Sequence, residues 1–195
     1  MQEKHKRQGR KLFSPLVRLL ATLRVSPNAV TLAALPFSLA SAGLFALGHF
    51  VWAGVALALG GLCDLLDGEL SRLTGRQSRT GALLDSTVDR LCEAAVFMGL
   101  GWYYRENPWF VLLAVAAMVF SLMVSYVRAR AEGLGHDCAV GWFERPVRLV
   151  LMLLGAFVLG PTWLPVVLGI VVLGSAITVG QRLAHVFRQR PGGSS

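Results

Sequence analysis

Four aspartates, Asp64, Asp67, Asp85 and Asp89, stand out in a chain of 195 residues of which only 15% are charged. Asp64 and Asp67 are three positions apart and Asp85 and Asp89 four, so on helices each pair projects from one face. Only a short polar connection separates the pairs, which predicts antiparallel neighbouring helices whose ends gather four carboxylates. A charge left facing lipid costs about 2.5–3.5 kcal/mol on insertion scales, so the group needs counter-charge, and Arg72 alone is too little. Hard divalent cations answer that need: carboxylate oxygens suit Mg²⁺ or Mn²⁺, and four carboxylates suit two ions with positions open to substrate phosphates. Gly68, directly after Asp67, and Gly81 on the facing helix omit side chains where a nucleotide or diphosphate approaches. Arg72 offers a planar fork to phosphate oxygens. Single carboxylates beside a basic loop also occur as ordinary interfacial ion pairs. Matched faces on both sides of one loop, each with its glycine, favour a site.

The elements that must hold these residues are membrane helices. Mean hydropathy is +0.57, and the charged fraction lies far below the roughly one-quarter typical of soluble domains. Apolar stretches run from about Ala29 to Leu47, Phe50 to Leu70, Gly81 to Tyr103, Pro108 into Val127, Pro146 to Leu159 and Pro165 to Ala184, with Gly48-His49 and Gly160-Pro161 as turns. The expected fold is an all-α polytopic membrane protein of six transmembrane helices, preceded by a basic juxtamembrane amphipathic segment over 1–25. The six-helix domain covers 26–187, and a flexible tail covers 188–195. Leu12, Leu16, Leu19, Leu20 and Leu23 fall near helical spacing with Arg18 and Arg24 among them, which suits a helix lying on an anionic membrane surface. No hydrophobic core with a small-residue cleavage site marks a signal peptide there.

Net charge is +8, and eighteen of the nineteen Lys and Arg residues fall in the N-terminal segment, between Arg72 and Arg90, between Arg128 and Arg148, or from Arg182 onward. Arg105 alone falls on the other side. The bias places both termini in the cytoplasm, which an even number of spans satisfies. It also assigns the basic balance to anionic lipid and an anionic substrate, with no nucleic acid as partner. Cys63, Cys92 and Cys138 lack a metal-ligand spacing and read as packing residues. His49, His136 and His185 are scattered and read as no ligands.

DLLDGELSR, eight further residues, and then GALLDSTVD resemble the signature of the CDP-alcohol phosphotransferase family, D-x-x-D-G-x-x-A-R-x8-G-x-x-x-D-x-x-x-D. Every spacing agrees, and Ser71 stands where alanine is usual. The resemblance implies a six-helix membrane enzyme of the cell membrane, usually a homodimer, with its site facing the cytoplasm. Such an enzyme displaces CMP from a CDP-linked donor with an alcohol acceptor. By the same resemblance Asp64, Asp67 and Asp85 hold two divalent cations, Mg²⁺ or Mn²⁺. Asp89 joins the second cation and acts as base, and Gly68, Arg72, Ser78 and Gly81 line the nucleotide site. The stretch SPNAVT resembles the opening of the family's first span, which brings Asn28, Ala29, Val30 and Thr31 into the CDP pocket.

Arg128, Arg130, Arg145, Arg148 and Arg182 lie on the same side as the aspartates. They suit an anion pocket, since guanidinium binds phosphate bidentately, although positive-inside bias alone would also put them there. SYVRARAEGLG, WFERPVRL and QRLAHVF resemble segments of the family branch whose acceptor is inositol phosphate and whose donor is CDP-diacylglycerol or CDP-archaeol. That resemblance implies that Arg128, Arg145, Arg148 and Arg182 bind the acceptor phosphate. Arg128 replaces a common lysine, and Val147 replaces a usual glutamate. The alternative branch takes glycerol 3-phosphate, but its third helix reads D-P-V-A-D-K where this chain has DSTVDR. A cation or proton transporter is the alternative from another class; carboxylates gathered at one end of the spans beside glycines favour the nucleotide site.

Overall fold

The computed structural model describes residues 14–189, all of whose regular structure is helical. Helix α1 is residues 14–22. It is followed by α2 (Pro27–Ala46), α3 (Phe50–Thr74), α4 (Arg79–Tyr103), α5 (Pro108–Gly133), α6 (Arg145–Leu154) and α7 (Gly160–Arg188). The starts are written in the sequence: Ser26, Ser78 and Asn107 cap α2, α4 and α5 through side-chain oxygens that accept N–H bonds from Ala29, Gly81 and Trp109. Pro27 and Pro108 occupy first-turn positions that need no N–H donor. Gly75 ends α3 in the left-handed conformation at φ 65°.

Several boundaries differ from the hydropathy pattern, among them α3, which runs past Leu70 to Thr74, and α7, which spans Gly160–Arg188 rather than Pro165 to Ala184. Helix α5 continues past Val127 to Gly133, because the residues of RARAE are good helix formers although they are no longer apolar. Between α6 and α7 the chain passes through a π-helical turn, Gly155–Leu159, and then through Gly160 at φ 70° and ψ −175°, a conformation open essentially to glycine. There the direction reverses. Arg145, at the start of α6, reaches Asp64 and Asp89, whereas Ala156 faces Gly54 near the start of α3. Helix α7 then returns, so that its Thr178 bonds to Phe143 and its Arg182 to Glu144.

Helix α2 packs against both α3 and α4, α5 against α7, and α4 against α5. Small residues let the backbones approach: Gly99 of α4 abuts the backbone of α2 at Ala42, and Gly174 lies against the Phe143 ring. The main core runs from Phe143, beside Arg148, to the end away from the aspartates. There Phe45, Phe50, Tyr103, Tyr104 and Phe110 form a chain of edge-to-face rings with centroids 4.8–5.6 Å apart. The Tyr104 hydroxyl donates to the Pro161 carbonyl at 2.5 Å, tying the α6–α7 reversal to the end of α4.

Among the described residues four stretches are long and apolar enough to cross a membrane: Pro27–Ala46, Phe50–Thr74, Pro108–Gly133 and Arg145–Arg188. The last contains both α6 and α7. Helix α4 falls outside this set because it carries Asp85, Asp89, Arg90 and Glu93. Large apolar side chains such as Leu39, Trp52, Met98, Leu112 and Leu173 face outward, as lipid-facing surfaces do. In α1, Val17 packs on Val30, Leu66 and Leu70, while Leu16 and Leu19, and Leu23 just beyond the helix, are exposed. Leu12 and the rest of the expected amphipathic segment before residue 14 lie outside the described residues, as does the tail from 190 onward.

A methyl at Gly99 has nowhere to go but the Ala42 backbone, so Gly99→Ala should destabilise the bundle by about 1–3 kcal/mol. A lowered Tm of the detergent-solubilised protein checks this. Gly43→Ala, where the added methyl meets open space, should leave Tm near that of the parent.

Candidate active site

Helix α3 delivers Asp64 and Asp67 in its last turns, and α4 delivers Asp85 and Asp89 in its first turns, across the tight Gly75–Ser78 turn. The two helices run antiparallel as expected, but they are not packed neighbours. Helix α2 ties them together by packing on each, and α3 and α4 leave between them the space into which the carboxylates project. One oxygen from each of Asp64, Asp67 and Asp85 lies within 4.8 Å of the others. Octahedral Mg²⁺, with bonds of about 2.1 Å, holds its ligand oxygens about 3–4 Å apart, so the cluster is close to a hard-cation donor set. Asp85 adds a second sign of fit. Its Oδ1 is buried with no hydrogen-bond partner among the described residues, and a buried carboxylate oxygen so placed calls for a cation.

Each aspartate has a distinct environment. Asp67 is 6% exposed and accepts a 2.5 Å bond from the Thr31 hydroxyl of α2. Asp64 and Asp89 share one guanidinium: Arg145 Nη1 lies 2.8 Å from an oxygen of each. Asp89 is therefore not in the three-carboxylate cluster but is joined to it through Arg145. The counter-charge that the Arg72 position could not supply comes from the first residue of α6. Arg72 itself pairs with Glu69 at 2.7 Å and stays exposed.

Two cavities meet at Asp85. One, of about 340 Å³, is lined by Asn28, Thr31, Asp67, Gly68, Arg72, Ser78, Gly81 and Asp85, which are most of the residues expected around a nucleotide. A side chain at Gly68 would meet only open space, whereas one at Gly81 would press on Ser78 and Asn28. Gly81 thus makes room for protein groups that line the cavity. Ala29 and Val30 do not line it: Ala29 gives its N–H to the Ser26 cap, and Val30 packs with Val17, Leu66 and Leu70. The other cavity, of about 550 Å³, is lined by Asp85 and Asp89 on one side and by Arg128, Arg145, Arg148 and Arg182 on the other.

Those four arginines are held unequally. Arg128 is exposed and pairs with Glu132 at 2.8 Å and with Glu144 at 3.7 Å. Arg148 is 1% exposed; it bonds Glu93 through Nε at 2.6 Å and Nη2 at 3.0 Å, and the Phe143 carbonyl through Nη1. Arg182, 2% exposed, donates to the carbonyls of Val140 and Val124 and to Glu144, and so clamps the α5–α6 loop. The sequence reading missed Glu93 and Glu144 altogether. A signal existed for the first: Glu93 follows Asp89 by four residues, as Asp89 follows Asp85, and extends the same helical face.

An all-helical membrane protein that gathers carboxylates for a hard divalent cation between a nucleotide-sized cavity and an arginine-lined one has the build of a cation-assisted phosphotransferase. Residues 24–180 match the model of the CDP-alcohol phosphatidyltransferase family, and the chain belongs to that family. It is an enzyme of phospholipid biosynthesis that uses divalent cations and lies in the membrane as a multi-pass protein. The phosphatidylinositol phosphate synthase of Mycobacteroides abscessus is 37% identical over 190 residues, covering 93% of this chain and 86% of that protein. The crystal structure of the Mycobacterium tuberculosis phosphatidylinositol phosphate synthase with CDP-DAG bound superposes with a TM-score of 0.83 at 32% identity, covering 93% of this chain and 99% of that one. The same enzyme in complex with manganese and citrate gives a TM-score of 0.82 at 33% identity, with coverages of 91% and 92%.

Arg148→Ala leaves the Glu93 carboxylate without its partner in a largely buried place, a change that typically costs about 3–5 kcal/mol. Its Tm should fall well below that of Arg128→Ala, whose exposed pairs are worth about 0–1 kcal/mol. Equal Tm values for the two variants would contradict this account of the cavity wall.

Proposed function

We propose that the protein transfers the phosphatidyl or archaetidyl group of a CDP-linked lipid to inositol phosphate and releases CMP. The observation that carries this is the placement of the carboxylates between the two cavities, with Asp85 lining both. The smaller cavity takes the CDP head: Gly68 leaves the α3 surface open, and Asn28, Ser78 and Arg72 supply donors to sugar and phosphate oxygens. The larger cavity takes the acceptor, whose phosphate is matched by the arginines and whose hydroxyl is brought towards Asp89. The names of the similar synthases support inositol phosphate as that acceptor and CDP-diacylglycerol as the donor.

Asp64, Asp67, Asp85 and Asp89 would hold two divalent cations, which when bound neutralise diphosphate charge and stabilise the departing CMP. In the transfer, the acceptor hydroxyl oxygen forms a bond to the lipid-bearing phosphorus, and the bond from that phosphorus to the bridging oxygen breaks. The hydroxyl proton passes to Asp89 as attack proceeds. The protein's own contribution is position. Helix α2 fixes Asp67 through Thr31, and the Ser78 cap fixes the start of the helix that carries Asp85 and Asp89.

The membrane arrangement that fits this chemistry has six crossings, α2 to α7, over 26–187, with the basic segment over 1–25 on the cytoplasmic surface; α7 itself runs one residue further, to Arg188. The arginine clusters on the aspartate side support a cytoplasmic site and cytoplasmic termini, and the cell membrane is the place where a soluble acceptor meets the lipid donor. A homodimer follows from the family resemblance.

Purified protein with Mg²⁺ or Mn²⁺ should release CMP from CDP-diacylglycerol when given inositol phosphate. Release with glycerol 3-phosphate only would assign the other acceptor, and CMP release that ignores the acceptor would sink the transferase reading. Asp89→Asn should abolish turnover while CDP-lipid binding persists; a full rate in that variant would remove Asp89 as base.

A further inference from the structure

Glu93 lies outside the aspartate signature, yet it stands where the two halves of the site meet. It is four residues beyond Asp89 on the same face of α4 and lines the arginine-rich cavity. Both of its carboxylate oxygens are used: Oε1 accepts from Arg148 Nε at 2.6 Å and Oε2 from Nη2 at 3.0 Å, a bidentate pair that fixes the guanidinium in angle as well as distance. The side chains of Arg148 and Glu93 are 2% and 13% exposed, so the pair is shielded from competing water.

From Arg148 the constraint passes to the chain that carries the other acceptor-side groups. Arg148 Nη1 donates to the Phe143 carbonyl at 3.2 Å, while the Phe143 N–H is held by Thr178 of α7 and its ring by Gly174. Residues 144 and 145 follow at once. Glu144 meets Arg182, and Arg145 lies 2.8 Å from both Asp64 and Asp89. The geometry points to Glu93 as a positioning residue. By holding Arg148 it sets the distance between the helix bearing Asp85 and Asp89 and the arginines that receive the acceptor phosphate. Glu93 has no contact with the nucleotide-sized cavity, so its effect falls on the acceptor and spares the donor.

The inference rests on the arginine-lined cavity being the acceptor site, and wild-type protein assayed in parallel tests that part. Glu93→Gln keeps the size of the side chain and removes its charge. Its kcat/KM for inositol phosphate should fall on the order of 10²-fold, as misplacement by about an ångström can cause, with the loss in the acceptor KM and the CDP-diacylglycerol KM unchanged. Glu93→Asp, which keeps the charge on a shorter stem, should recover part of the loss. The double variant Glu93→Gln, Arg148→Gln has no unpaired buried charge; it should hold the parent Tm and still show a raised acceptor KM. A wild-type acceptor KM in the double variant, or donor and acceptor KM rising together in Glu93→Gln, would make the pair merely structural and overturn the proposal. If wild-type protein uses inositol phosphate while Glu93→Gln keeps its acceptor KM, the positioning role falls and the function stands. If wild-type protein accepts no phosphorylated alcohol, both fall.

Discussion

Like charges do not gather inside an apolar bundle unless something opposes them, and the structure is organised around that constraint. Three carboxylate oxygens lie within 4.8 Å of one another at the ends of α3 and α4. Where little water screens them, carboxylates at such distances repel one another. Two features of the fold meet it from the protein side. Thr31 gives Asp67 a hydroxyl bond, of a kind worth about 1.5–3 kcal/mol to a charged acceptor. Arg145, carried in on the first turn of α6, spans Asp64 and Asp89. What remains, above all the Asp85 oxygen that has no hydrogen-bond partner among the described residues, is charge that a bound divalent cation would neutralise.

The need to keep those carboxylates apart from lipid but accessible explains the asymmetry of the bundle. At one end, edge-to-face rings and the Tyr104–Pro161 bond lock four helices and the α6–α7 reversal together. At the other, α3 and α4 diverge around α2, and polar groups line two cavities in place of aromatic packing. A rigid far end lets the near end stay open without the helices losing register. Gly99 against Ala42 belongs to this arrangement, since it brings α2 and α4 close enough for Thr31 and the α4 aspartates to share one site.

How much of this was legible in the sequence depends on the range of the interaction. The aspartate faces and the turn at Gly160 are local, and spacing or residue type announces them. The wedge role of α2 was not legible, because a short α3–α4 connection implies contact between those helices and gives no hint that a third element joins them. The arginines illustrate the same limit. Their side of the membrane follows from charge bias, but whether each is free or committed depends on partners such as Glu93, 55 residues from Arg148, and Val124, 58 residues from Arg182. No period or motif encodes pairings of that range. Helix α5 shows a further gap: hydropathy ended the span at Val127, while helix propensity carried the helix on to Gly133 and so placed Arg128 and Glu132 at the cavity wall.

The commitment of Arg148 and Arg182 to protein groups also changes how the arginine-lined cavity would receive an anion. Four free guanidinium groups facing one another would repel, and a phosphate arriving among them would have to order all four long side chains at an entropic cost. Glu93, Glu144 and the loop carbonyls remove that cost in advance for Arg148 and Arg182, and Asp64 and Asp89 do so for Arg145, leaving Arg128 exposed at the rim. Preorganisation of this kind favours an acceptor with one fixed anionic group, because the buried arginines do not follow a displaced charge. On the proposed assignment of the cavity, its acidic residues therefore belong to anion recognition as much as the arginines do.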